Sequence, residues 1–138
     1  MKVMDFQIGD LVSAAGQNVV ITSLIPYDDK PFGIALKDRI EFTEEEIQPI
    51  PLTAAILEMN GWTSYEYYHV LEKDNYRLKV EIVEDDLFNL QYDVKEGEIS
   101  GHSFYMCYIN DLTLSYVHGL QHALRLVGLS ELADNLKI

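Results

Sequence analysis

Two histidines four residues apart, His118 and His122, come nearest in type and spacing to a reactive constellation. On a helix, i,i+4 spacing sets two imidazoles on one face, as in the first two ligands of a zincin metalloprotease. That chemistry needs a glutamate directly after the first histidine to activate water, and Gly119 stands there. A metal-dependent hydrolase using His118 and His122 would need His69, His102 or a carboxylate as a further ligand. The simpler expectation is a polar helix face, made of His118, Gln121, His122 and Arg125, that meets solvent or a partner protein.

The other reactive residue types lack the company that catalysis requires. Cys107 is the single cysteine, which excludes an intramolecular disulfide or a multi-cysteine zinc site. It lies in the apolar run Phe104–Ile109, so it reads as a small core residue rather than a nucleophile. Glu44, Glu45 and Glu46 are consecutive, and on a helical turn they point in different directions and cannot converge on one ion. They read as solvated residues at a helix start, where negative charge is favourable. Gly97–Gly101 lacks the lysine and the following helix of a phosphate loop. No serine occupies a Gly-x-Ser-x-Gly elbow. No catalytic residue, cofactor or resident metal is expected on these grounds.

The elements that must position these residues are readable from periodicity and punctuation. Residues 6–50 read as short strands broken by turns: Phe6–Val12, Val19–Ile25, Phe32–Leu36 and Arg39–Phe42, with a loop over Pro26–Pro31 and a helical turn at Thr43–Ile47. Strands at this spacing suggest a small closed or half-closed barrel. Leu52–Gly61 carries the marks of a two-turn helix. Thr53 is placed as N-cap, Leu52 and Leu57 as a hydrophobic staple, and Gly61 as the left-handed terminator, with Trp62 seated behind it.

An antiparallel meander follows, with strands expected at Tyr65–Leu71, Tyr76–Val83, Leu87–Val94 and Phe104–Ile109, and a longer loop over Lys95–Gly101. Tyr76, Leu78, Val80 and Ile82 alternate with Arg77, Lys79 and Glu81, the period of a half-buried strand. Tyrosines at 65, 67, 68, 76, 92, 105 and 108 would line one aromatic surface if they shared a face. Tyr116–Val127 is an amphipathic helix, with Tyr116, Val117, Leu120, Ala123, Leu124 and Val127 on its apolar arc. Gly128 would end it, and Ser130 would cap a short final helix.

The net charge of −13 narrows the partners. Residues 1–50 hold nine acids and four bases, residues 51–100 eleven and four, and residues 101–138 three and two. Such a field disfavours a nucleic-acid backbone and an anionic membrane surface, and it suits a basic protein partner. No apolar stretch reaches the roughly 20 residues of a membrane span. With no hydrophobic signal core in MKVMDFQIGD, a cytoplasmic location is the expectation.

Two stretches carry a resemblance. Ile8-Gly9-Asp10-Leu11-Val12, followed by Pro49-Ile50-Pro51-Leu52-Thr53 and Asn60-Gly61-Trp62, resembles a group of small uncharacterised bacterial and prophage proteins. Tyr116-Val117-His118-Gly119-Leu120-Gln121-His122 is similar to the C-terminal helix of that group, which often has glutamate where Gly119 stands. Ala54-Ala55 likewise replaces a usual acidic pair. The resemblance implies a phage or prophage context and brings no activity with it. Ile8–Val12 also resembles the first strand of SH3-like barrels.

The expected fold is therefore α+β. An SH3-like barrel would span 1–50, and 51–138 would hold a linking helix and an antiparallel meander packed by the C-terminal helix, the whole forming one compact body. The expected function is a non-enzymatic protein-interaction module, a phage or prophage accessory factor acting through its acidic surface. A virion or assembly component working as a homo-oligomer is the structural alternative.

Overall fold

A computed structural model describes residues 6–25, 33–36, 41–43, 46–85 and 87–138. It is a mixed helix-and-strand structure built from antiparallel sheets and three short helices. The expected loop at 26–31 and the Glu44–Glu45 part of the expected helical turn lie outside the described residues. Contacts divide the chain into two units. One comprises residues 1–51 and 116–136 with residue 138, and the other comprises residues 52–115 with residue 137.

In the first unit, β1 (Leu11–Ala14) pairs with β2 (Gln17–Ile25) and with β5 (Ile47–Pro49). The latter half of β2 pairs with β3 (Gly33–Leu36), and β3 pairs with β4 (Glu41–Thr43). The strand order is β4-β3-β2-β1-β5, and no closed barrel is present among the described residues. Phe6, Val12, Ala14, Ile21 and Ile47 form a buried cluster, with Val19 packed against it.

The C-terminal helix α2 (Val117–Leu126) and the short α3 (Ser130–Asp134) belong to this unit. Their packing is against each other, and α2 also contacts β1. The sequence expectation sets this helix on the meander; its contacts group it with β1 and α3 in the first unit. Its polar arc needs hydrogen-bond partners, and residues around β1 supply them, as described below. Gly128 closes α2 in the left-handed conformation, with the Leu129 N–H donating to Leu124 O at 2.8 Å and the Gly128 N–H to Arg125 O at 3.1 Å. Ser130 begins α3 and caps nothing; the N-cap position falls to Leu129.

The second unit opens with α1 (Ala54–Met59). Thr53 caps it as expected, its Oγ1 accepting from the Ile56 N–H at 3.2 Å. Gly61, at φ +88°, reverses the chain so that the Gly61 N–H reaches Glu58 O and the Trp62 N–H reaches Leu57 O, both at 3.1 Å. Leu57 and Trp62 are buried behind this turn. Gly61→Ala is expected to cost about 1–2 kcal/mol by urea unfolding, the strain of an L-residue held left-handed. No atom lies within 4 Å of the added methyl, so packing contributes nothing to that loss. An unchanged midpoint would mean that the turn relaxes.

A five-stranded sheet follows in the order β10-β9-β8-β7-β6. Its strands are β6 (Thr63–Ser64), β7 (Tyr68–Glu72), β8 (Tyr76–Glu84), β9 (Leu87–Ile99) and β10 (His102–Leu114). The expected loop at Lys95–Gly101 is a continuation of β9 to Ile99, closed by a two-residue turn. Ser100 at φ +53° and Gly101 at φ +81° give this turn the mirror-image twist that suits a tight hairpin. No helix among the described residues is long and apolar enough to cross a membrane.

Candidate functional site

The helix face read as meeting solvent or a partner is turned inward within the first unit. His118 and Gln121 are buried, while His122 and Arg125 are half-buried. His122 and Arg125 meet Asp10, which is fully buried just before β1. One carboxylate oxygen of Asp10, Oδ2, accepts from the Gln7 N–H at 2.7 Å and pairs with His122 Nε2 at 2.7 Å. The other, Oδ1, accepts from Arg125 Nη1 at 2.7 Å. Arg125 Nη2 makes no hydrogen bond and stands 3.6 Å from Asp134 Oδ1.

Gln121 completes this lock. Its Oε1 accepts from the Leu11 N–H at 2.8 Å, and its Nε2 donates to Gly9 O at 3.2 Å and Ala133 O at 3.1 Å. Gly9 lets the helix approach: at φ +94° a side chain would be strained, and its Cβ would stand 2.9 Å from Arg125 Nη2.

The His118 ring lies 5.0 Å from Phe6, 5.7 Å from Tyr116 and 5.4 Å from His122, centroid to centroid. It thus stands in a column of rings. His122 Nε2 is engaged by Asp10, and no group of three ligands that could hold an ion occurs among the described residues. The arrangement is suited to fixing the helix against β1 by hydrogen bonds and charge pairing.

In the second unit the tyrosines separate onto two faces. Tyr76, Tyr92 and Tyr108 form a row across β8, β9 and β10, with centroids 6.1 and 6.3 Å apart. On the opposite face Tyr65 stacks on Tyr68, Lys79 sits over the Tyr68 ring at 4.7 Å, and Arg77 over the Tyr105 ring at 4.2 Å. That face also holds buried Asp93, which accepts from Arg77 at 3.1 Å and from Gln91 at 3.0 Å.

Cys107 pairs with Asp93 across the ladder and is exposed, correcting the expectation of a core cysteine. The apolar run that contains it is an edge strand whose residues on both faces are largely exposed. Partial desolvation, then the neighbouring Asp93 carboxylate, push its thiol above the usual range. Alkylation by iodoacetamide is expected to keep accelerating past the ordinary thiol pKa of about 8.5. A rate that levels off below that pH would contradict this placement.

The feature that sequence reasoning missed is the outer end of the β9–β10 hairpin. The last β8 pair is Tyr76 with Val94, so beyond it β9 and β10 run on as a two-stranded ribbon. The register puts Val94 and Met106, Gly97 and Phe104, and Ile99 and His102 on one face. This is the face that carries buried Leu78, Val80 and Leu90 further in. Outside, Ile99 is 68%, Met106 54% and Phe104 45% exposed, and Tyr108 at 60% donates to Glu96 at 2.9 Å. The Phe104 ring lies over Gly97, where a Cβ would come within 3.1 Å. The Ser100-Gly101 pair was the signal in the sequence, since a Ser-Gly dipeptide marks a turn and its glycine takes positive φ freely.

The class defined by these features is a mixed antiparallel α+β chain. One unit is locked by a buried Asp–Arg–His–Gln network, and the other presents a partly uncovered sheet face. Comparison with protein-family models, with curated proteins and with solved structures found no match to this chain.

Proposed function

We infer that this chain is a non-enzymatic protein-interaction module, and that the face of the β9–β10 ribbon is where it engages its partner. The carrying observation is the exposure of Ile99, Phe104 and Met106 on one face of a strand pair, where a sheet ordinarily buries such side chains. The acidic surface adds selectivity. Glu66, Asp74, Glu81, Glu84, Asp85 and Asp111 are exposed, and their carboxylates enter no hydrogen bond or ion pair with another described residue. Their field favours encounter with a basic partner.

Residues 1–50 are read as an SH3-like barrel. The strand order β4-β3-β2-β1-β5, with β2 shared between two ladders, supports that reading. The sequence resemblance supports a phage or prophage accessory role, exercised in the cytoplasm. Affinity capture from the native host's lysate, repeated at rising salt, tests the function. A dominant partner that is lost as salt screens the acidic surface is the expected result. Recovery of the bait alone at every salt concentration would overturn the reading.

A further inference from the structure

Resting on that reading, we propose that the partner contributes an extended, lysine- or arginine-bearing segment that adds as a third strand along β10 at His102–Cys107. A two-stranded ribbon is marginal by itself in water and gains from a further strand. Among the described residues, β10 pairs only with β9, so its outer backbone groups are open to a ladder. Edges that must stay single are guarded by lysine, proline or bulges. This strand carries one charged residue, Asp111, and no proline. Between Phe104 and Tyr105 the register shifts by an extra residue in β9, Glu96, which leaves His102–Cys107 of β10 itself unbulged. The other two shifts, between Cys107 and Ile109 and between Ile109 and Leu112, put the extra residues in β10, where Asp111 stands at φ +69°. These irregularities bend the strand beyond Cys107, which confines regular pairing to the stretch before it.

Charge selects the occupant. Glu96 and Glu98 stand beside the stretch on β9, and the cations near it are already paired, Lys95 with Glu98 at 2.7 Å and Arg77, over the Tyr105 ring, with Asp93 at 3.1 Å. A second copy of this chain would bring the same carboxylates and its own charge of −13 to the contact. A strand with cations at alternate positions and apolar residues between them meets the carboxylates with one set and Phe104 and Met106 with the other.

The test pans a random dodecapeptide display library on the intact chain, then titrates a synthetic, labelled copy of the most enriched peptide. The expected peptides alternate Lys or Arg with aliphatic or aromatic residues and protect the amides of residues 102–107 from hydrogen exchange. The expected binding weakens at least tenfold in Met106→Lys and, separately, in Phe104→Lys. Both sites are exposed, so the folded state is retained, as circular dichroism will verify. Acidic or featureless peptides, protection elsewhere, or affinity unchanged in both variants would each overturn the proposal, as would dimerisation through β10 seen by light scattering. A salt-sensitive partner still captured from lysate by Met106→Lys would sink this inference while leaving the interaction role standing.

Discussion

Asp10→Ala is expected to lower the unfolding free energy by about 3–5 kcal/mol, far more than a surface ion pair would. Asp10 is fully buried and faces three donors: a backbone amide, an imidazole and a guanidinium, each at 2.7 Å. Deleting the carboxylate leaves the Gln7 N–H without its acceptor and the Arg125 cation, 18% exposed, with only the exposed Asp134 at 3.6 Å as counter-charge. Desolvation of a charge left with one distant, solvated partner is the dominant cost, and the lost hydrogen bonds add to it. Removing both partners should therefore hurt less than the two single changes together. In a cycle of Asp10→Ala, Arg125→Met and the double variant, the double variant should fall short of additivity by more than about 1 kcal/mol. Additive losses, or a single-variant loss near that of a surface pair, would show that the network contributes little. Urea unfolding monitored by far-UV circular dichroism measures all three.

What was legible in the sequence was local. Thr53, Gly61 and Trp62 announced α1 because a cap and a left-handed terminator act over a few residues, and the structure realises each of them. Tyr76–Ile82 announced β8 by alternation, which the burial of Leu78 and Val80 reproduces.

The direction of α2 was not legible. Its two arcs differ in polarity, and polarity alone suggests that the histidine arc faces water. The arc faces inward because its partners, Asp10 and the backbone around Gly9 and Leu11, lie more than a hundred residues away in sequence. A buried polar residue is legible only together with what satisfies it. Cys107 failed for a related reason. An apolar run signals a strand, but not whether the strand lies at the centre or the edge of its sheet. The hairpin end was hidden because Lys95, Glu96 and Glu98 look like loop residues, whereas the register turns Glu98 and Lys95 to the polar face of the ribbon.

Gln121→Glu is expected to produce a stability loss that grows with pH. Gln121 is 1% exposed, and its amide is used at both ends. Oε1 accepts from Leu11, while Nε2 donates to two carbonyls, Gly9 O and Ala133 O. A glutamate keeps the acceptor but turns an anionic oxygen toward both carbonyls in a buried site. Burial and the facing carbonyl dipoles both disfavour the charged form, so the introduced carboxyl has a raised pKa in the folded state. The folded chain then holds a proton that the unfolded chain releases near the ordinary glutamate value of about 4.3. By linkage, stability is retained below that pH and is lost as pH rises through the interval up to the folded value. At acid pH the introduced carboxyl, once protonated, still donates to one carbonyl, and about one unsatisfied acceptor remains, worth roughly 1–3 kcal/mol. Gln121→Met removes the same hydrogen bonds without a titrating group and should show a loss independent of pH across that range. Parallel unfolding profiles for the two variants would mean that Gln121 does not hold Leu11, Gly9 and Ala133 together in solution, and that α2 is fixed to β1 by apolar packing alone.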